Sequence, residues 1–292
     1  MIVKLAFDEG PGAGLGHRRR VETLAAELAA RGHDCELVAL PESVWDDAEL
    51  IEADVVVVDS YRMRADDAER FRARAVVAID DLARDLAVDL VVDPSPGAYG
   101  AVHFRAGHVL AGAAYALVPH SCARAGAAAV DAPVDRVLVT MGAADAEGVG
   151  AGVAAAVRAE SAGVKVRLVV GPWGAKAVPD GVDAVVAPDG LVGELAAAGV
   201  VVTAGGVTML EACRLGRPVV ALALAANQEQ AVAGLACDGA VVLATPTTVA
   251  AEVGALIRDR SRRFELATAA SAAVDGKGAT RIADAIEQLT RV

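Results

Sequence analysis

The sequence predicts an α/β protein in which a doubly wound parallel sheet occurs twice. Three observations carry this reading. The chain has 292 residues, room for about two domains at ~100–200 residues each. Val-rich apolar runs of strand length recur between Gly, Pro and Asp residues. They are continuous rather than alternating, as in strands buried on both faces. Ala-rich amphipathic stretches separate many of them, and strand–helix alternation marks a layered α/β architecture. Hydrophobic residues make up 55% and aromatics only 3%, so Ala, Val and Leu must fill the cores. That composition excludes a disordered chain.

In chain order, strands are predicted at 2–7, 55–58, 75–79 and 90–92, then at 137–141, 166–170, 184–186, 200–202, 219–222 and 240–243. Helices are predicted at 21–31, 151–158, 208–215 and 230–237, and the last 30 residues read as helical around a break at Asp275-Gly276-Lys277-Gly278. The Ala- and Gly-rich stretch 119–133 has little pattern, and a new strand begins at Arg136. The expected division is an N-terminal Rossmann-like domain over 1–131 and a C-terminal one over 132–292. Two such domains leave an interdomain cleft, and in open α/β sheets ligands sit at the carboxyl ends of strands.

Composition also excludes function classes. Lys and Arg total 27 against 39 Asp and Glu, a net charge of −12, and the one tight basic run is Arg18-Arg19-Arg20. No nucleic-acid partner is expected. Cys35, Cys122, Cys213 and Cys237 are too far apart for a CxxC motif and lie among apolar neighbours. Buried reduced thiols in a cytoplasm fit that pattern. The opening MIVKLAFDEG has no basic n-region, so no signal peptide is expected. The uncharged stretch 106–123 contains Gly107, His108, Gly112, Pro119 and His120, which would break a membrane helix. No HExxH, spaced His/Cys cluster or Asp array occurs, so no metal and no other cofactor is expected.

Chemistry is therefore sought in the loops after strands. The first, Asp8-Glu9-Gly10-Pro11-Gly12-Ala13-Gly14-Leu15-Gly16-His17, opens the first helix. Its glycines let backbone amides approach an anion; the spacing is not GxGxxG. His17 is either an acid or base facing the cleft or a residue that caps and packs. Ala204-Gly205-Gly206-Val207-Thr208 leads into a helix carrying Glu211. It suits a diphosphate cradle with a ribose-binding carboxylate, or a Gly-rich turn with a Thr cap. Asn227-Gln228 could donate to phosphate or sugar oxygens, or cap a helix. Asp59-Ser60-Tyr61 and Asp80-Asp81 could supply carboxylates, or be ordinary turns. Met141-Gly142-Ala143-Ala144-Asp145 is the first strand-to-helix loop of the second domain.

Taken in order, these motifs resemble the sugar-nucleotide hydrolase family of pseudaminic acid biosynthesis and its spore-coat polysaccharide relatives. The carriers are Asp8 with Gly14-x-Gly16-His17-x-x-Arg20, Asp59-x-Tyr61, Ile79-Asp80-Asp81-Leu82 and Tyr115-Ala116-Leu117. They continue with Met141-Gly142 and Asp145, Gly205-Gly206-x-Thr208 with Glu211, Asn227-Gln228, and Asp275-Gly276-x-Gly278 with Arg281-Ile282. The resemblance implies a GT-B fold, as in glycosyltransferases. It implies metal-independent cleavage of a UDP-amino- or deoxy-sugar at the anomeric carbon, releasing UDP and free sugar. A glycosyltransferase using the same donor, or a degenerate homologue that only binds it, are the alternatives. By this resemblance His17 is catalytic, with Asp8 and Tyr61 near the sugar. Gly14, Gly16, Arg20, Asp80, Asp81, Asn227 and Gln228 meet the substrate. Gly142, Gly205, Gly206, Val207 and Thr208 hold the diphosphate side, Glu211 the ribose, and the loop with Asp189 and Leu191 the base. The sequence departs from the family at Ala6, Ala143-Ala144, Leu210 and Val118-Pro119-His120.

Overall fold

A computed structural model describes residues 1–10, 12–40, 51–98, 102–125, 130, 132–145, 147–174, 176–186 and 190–291. The chain forms two compact units, Met1–Pro119 with Gly276–Val292, and His120–Asp275.

The first unit holds β1 (Ile2–Asp8), α1 (Gly16–Ala30), β2 (Asp34–Leu40), β3 (Val55–Asp59), β4 (Ala75–Ile79), β5 (Leu90–Asp93) and β6 (His108–Ala111). The strands form one parallel sheet in the order β2-β1-β3-β4-β5-β6. Alternate residues explain the continuous apolar runs. Val3, Leu5, Phe7, Val55, Val57, Val77 and Ile79 pack on one face with Val21, Leu24 and Leu28 of α1. Ala6, Val56, Val58, Val76, Ala78 and Val91 pack on the other with Met63, Phe71 and Leu86. Both faces are covered, so the middles of β3, β4 and β5 are apolar.

The last helix, α9 (Gly278–Leu289), also belongs to this unit, placing Ile282 and Ile286 in the same core as α1. A Cβ at Gly278 would lie 2.2 Å from the Ala116 carbonyl oxygen, so only glycine lets the helix start there. Arg281 then donates to the Ala114 carbonyl at 2.7 Å, and Arg31 to Asp284 at 2.7 Å. The division expected at 131/132 is therefore corrected twice: the first unit ends at Pro119, and the chain returns to it at Gly276. Pattern alone cannot assign a terminal amphipathic helix to one sheet rather than another.

The second unit holds α2 (His120–Ala125), β7 (Arg136–Thr140), α3 (Val149–Glu160), β8 (Lys165–Val169), β9 (Asp183–Val185), α4 (Val192–Ala197), β10 (Val200–Ala204), α5 (Val207–Arg214), β11 (Val219–Leu222), α6 (Ala226–Cys237), β12 (Val242–Leu243), α7 (Val249–Arg258) and α8 (Arg260–Ala273). Its parallel sheet runs β12-β11-β10-β7-β8-β9. Val137, Val139, Val166, Leu168, Val200, Val202 and Val220 pack with Val153 and Val157 of α3 and Val253 and Leu256 of α7.

In each sheet the strand order reverses beside its first strand, between β1 and β3 and between β7 and β10. Loops that splay apart at such a switch point leave a crevice beyond the strand ends. Among the described residues no helix is long and apolar enough to cross a membrane. All four cysteines are free; Cys122 and Cys213 are buried, but Cys35 is only partly so and Cys237 is exposed. Burial pushes the Cys213 thiol up to about 12.

Candidate functional site

In the first unit the switch point carries an ion network. Helix α1 buries His17, Arg20, Val21, Leu24 and Leu28 along one stripe, the i, i+3, i+4, i+7 spacing of an amphipathic helix. The polar head of that stripe lands on the ends of β3 and β4. His17 Nδ1 meets Asp59 Oδ1 at 2.5 Å. Asp59 is the last residue of β3 and is fully buried. Arg20 grips the same carboxylate with two bonds of 2.7 Å, from Nε and Nη2. Its Nη1 donates to Asp81 at 2.6 Å. The Arg20 Nη2 also lies 3.1 Å from His17 Nδ1. One nitrogen cannot donate to Asp59 and accept from Arg20, and the short contact to a carboxylate decides for Nδ1–H. Nε2 is then the acceptor nitrogen, and it has no hydrogen-bond partner among the described residues.

The charged groups around the pair support one another. Burial alone would weaken the charge on Arg20, but Asp59 and Asp81 outweigh it and hold the guanidinium well above its ordinary value. Burial likewise works against ionised Asp81, and Arg20 more than offsets it, so that carboxyl sits below the usual range. Tyr61 stands over the pair. Its ring meets the His17 ring edge-on, centroids 4.3 Å apart at 81°, and its hydroxyl donates to Asp81 at 3.3 Å. Burial, then the Asp81 charge, push the phenol far up, so it stays protonated.

Other expected site residues in this unit serve as supports. The Asp8 carboxylate, 4% exposed, accepts from Ser60 Oγ at 2.7 Å, the Tyr61 amide at 2.9 Å and Arg62 Nη2 at 2.6 Å. Through these bonds it holds the Tyr61 loop. Asp80 is wholly buried and both its oxygens are taken, by the amide and Nε of Arg84. Arg20 is 7% exposed and joins Asp59 to Asp81 by three hydrogen bonds, so it orders the ends of β3 and β4. Gly14 adopts a left-handed φ of +69° and its amide closes a turn on the Gly10 carbonyl at 3.0 Å. Gly16 is the first residue of α1.

In the second unit the strand ends carry almost no charge. Gly205 is forced by packing, because a Cβ there would lie 2.4 Å from Val232. Gly206 has open space where a Cβ would stand and is the N-cap of α5. Its own amide folds back on the Ala204 carbonyl at 2.8 Å. The amides of Val207 and Thr208, first and second in α5, have no intrahelical acceptor by geometry and carry the positive end of the helix dipole. The Thr208 hydroxyl has no hydrogen-bond partner among the described residues. Gln228 is a staple, its Oε1 accepting from the amides of Leu224 at 3.0 Å and Gly205 at 3.3 Å. Asn227 is partly buried at the start of α6. Gly142 follows β7 with a φ of +91° and open space at its Cβ position.

Two expectations change here. Glu211 is 0% exposed, so its carboxylate presents no surface to a ribose in this structure. Leu191 is buried and caps α4, contributing core packing. Asp189 lies outside the described residues. No group of His, Cys, Asp or Glu suited to a metal ion occurs among the described residues. Asp59, expected only as a carboxylate at a strand end, is the partner of His17. Its signal was visible: a lone Asp ending a run of four valines must be buried and must therefore have a partner.

No family profile and no curated protein matches this chain in sequence. Solved structures do match in shape. A spinosyn rhamnosyltransferase, SpnG, complexed with thymidine diphosphate superposes with a TM-score of 0.63 at 18% identity, over 99% of this chain and 100% of that one. The kitacinnamycin glycosyltransferase gives 0.65 at 15% identity, over 99% and 98%. MurG of Acinetobacter baumannii gives 0.60 at 15%, over 99% and 100%. At such identities the likeness is one of fold, and the fold is the two-domain GT-B fold.

Proposed function

We propose that the protein is a glycosyltransferase-type enzyme acting on a nucleotide-diphosphate sugar. The observation that carries this reading is the buried His17–Asp59 pair, clamped by Arg20 at the switch point of the first sheet. His17 Nε2 takes the proton of an acceptor hydroxyl as its oxygen attacks the anomeric carbon. The new C–O bond forms as the bond to the diphosphate breaks, and the electron pair leaves with the nucleotide diphosphate. Asp59 holds the Nδ1–H tautomer and stabilises the imidazolium, the role of the carboxylate in a Ser–His–Asp triad. In the second unit, taken by itself, the amides of Val207 and Thr208 and the Thr208 hydroxyl suit the binding of a nucleotide diphosphate. Gly142 and Gly206, each with open space where a Cβ would stand, leave backbone bare. UDP and dTDP are the leading nucleotides: UDP from the motif resemblance, and dTDP from SpnG, the fold neighbour complexed with thymidine diphosphate.

Hydrolysis is the second reading, and one observation favours it. His17 is only 2% exposed, under the Tyr61 ring. A base so enclosed admits water more readily than a bulky acceptor.

Calorimetric titration with UDP, dTDP, CDP, GDP and ADP tests the donor assignment. Selective binding of one supports it; binding of none sinks it. Product analysis of the matching nucleotide sugar, with and without added acceptor alcohols, separates the two readings. Free sugar formed at the same rate in both mixtures selects hydrolysis, and acceptor-dependent glycoside selects transfer.

A further inference from the structure

Three strands of the first sheet end in carboxylates and a fourth is followed directly by one, but of these only Asp59 touches His17. The others feed a second layer that converges on the loop carrying Tyr61. Arg84 is its centre. Its Nη1 donates to the carbonyls of Tyr61 at 3.0 Å and Met63 at 2.8 Å, and its Nη2 to that of Ser60 at 3.0 Å. Asp80 fixes it from behind, bonding Nε at 2.6 Å and the backbone amide at 2.7 Å. The Arg84 carbonyl in turn accepts His103 Nδ1 at 2.8 Å. That histidine is buried; its Nε2 makes no hydrogen bond and lies 3.6 Å from Asp93 Oδ2 at the end of β5.

The backbone here is strained for a reason. Ala83 has a φ of +55°, the one non-glycine residue with positive φ among those described. The left-handed residue reverses the chain between Asp81, which faces Arg20 and Tyr61, and Arg84, which faces the back of the Tyr61 loop. Such strain persists only where surrounding bonds over-determine it. Tyr61 is thus held from three sides: its amide by Asp8, its carbonyl by Arg84, its hydroxyl by Asp81. A staple serving stability alone could bond any loop. This one takes three carbonyls within the four residues that follow Asp59.

We propose that Arg84 is a positioning residue for the His17–Asp59 centre, acting through the Tyr61 loop, and that His103 with Asp93 sets Arg84. This rests on the reading of His17 as the base. A lysine would keep the charge but lose the planar fork that reaches three carbonyls.

The test uses Arg84→Lys and, because that variant could fold poorly, His103→Gln as the milder lesion. Misplacement of this kind costs about 10–100-fold in kcat. Arg84→Lys should show that loss with the donor KM changed by less than about twofold, as for an interaction made only in the transition state. The pH at which kcat falls on the acid side should move, and His103→Gln should do the same more weakly. Independently of turnover, the His17 ring signals in nitrogen-15 NMR should shift in both variants as the Tyr61 ring moves. Folded variants with wild-type kcat, pH profile and His17 signals overturn the proposal. So does a kcat loss that merely tracks unfolded protein while the His17 signals stay fixed. If the wild-type protein turns over no nucleotide sugar, the functional reading fails, and the NMR arm alone decides the positioning role.

Discussion

In the first unit, β1, β3 and β5 end at Asp8, Asp59 and Asp93, and Asp80 follows β4; in the second, β7, β10 and β11 end at Thr140, Ala204 and Leu222. Both sheets are six-stranded and parallel, with the reversal beside the first strand. The same architecture therefore presents opposite chemistry at equivalent edges. The charged edge needs counter-ions, and Arg20, Arg62 and Arg84 supply them to Asp59, Asp8 and Asp80, while Asp93 accepts from the Ser95 amide beside His103. Few groups remain free there, and His17 Nε2 is one. The uncharged edge needs no internal partners, so the amides heading α5 stay available. Proton transfer requires the first kind of edge, because a base must be oriented and its tautomer set. Holding a polyanion suits the second, because bare amides keep their donors for the ligand.

The sharpest way to break this comparison is at the charged edge. His17→Ala should lower kcat by about 10²–10⁴, the usual worth of a positioned acid or base. Asp59→Asn should lose a comparable factor, since an amide facing Nδ1 no longer selects the tautomer that leaves Nε2 free. Steady-state kinetics beside circular dichroism of the folded state checks both. Wild-type rates in either variant would remove the first unit from the chemistry.

The uncharged edge gives a paired test with smaller effects. Gly206→Ala places a methyl in open space at a φ of −102°. Stability should change by no more than about 0.5 kcal/mol, while nucleotide affinity falls about tenfold, or ~1.4 kcal/mol. Gly205→Ala drives its methyl to 2.4 Å from Val232 and should cost about 1–3 kcal/mol of stability by overpacking. Melting curves and calorimetry read the two effects separately. Loss of stability at Gly206, or of neither property at Gly205, contradicts the division between a packed and an open glycine.

Much of the architecture was legible because burial on both faces writes itself as continuous valine runs. In the first sheet the central strands β1, β3, β4 and β5 follow from pattern. Its two edge strands do not: β2 reads Asp-Cys-Glu-Leu-Val-Ala-Leu and β6 His-Val-Leu-Ala. An edge strand is half solvated, carries charge and loses the signal. At the site, motif spacing located the loops and His17. It could not tell which carboxylate pairs with His17 and which holds the Tyr61 loop, because Asp8, Asp59, Asp80 and Asp81 look alike in one dimension. Only the pairing of each with a particular arginine, at sequence separations up to 61 residues, sorts them. The burial of Glu211 was equally hidden, since a helix periodicity does not say which polar residue faces inward.

The smallest effect concerns Asp81, the carboxylate that ties the two halves of the charged edge together through Arg20 and Tyr61. Burial raises its carboxyl, and the Arg20 charge and hydrogen bond lower it further than that. A carboxylate depressed in the folded state stabilises above its unfolded value, about 3.9, and that contribution is lost as pH falls through the folded value. Asp81→Asn should thus cost about 1 kcal/mol near neutral pH and progressively less in acid. The melting temperatures of wild type and variant should converge only as pH falls through the lowered folded value of Asp81. A gap that stays constant from neutral to acid would mean that the Asp81–Arg20 bond contributes by shape alone. Arg20 would then owe its place to Asp59, and the charged edge would reduce to a single clamped pair.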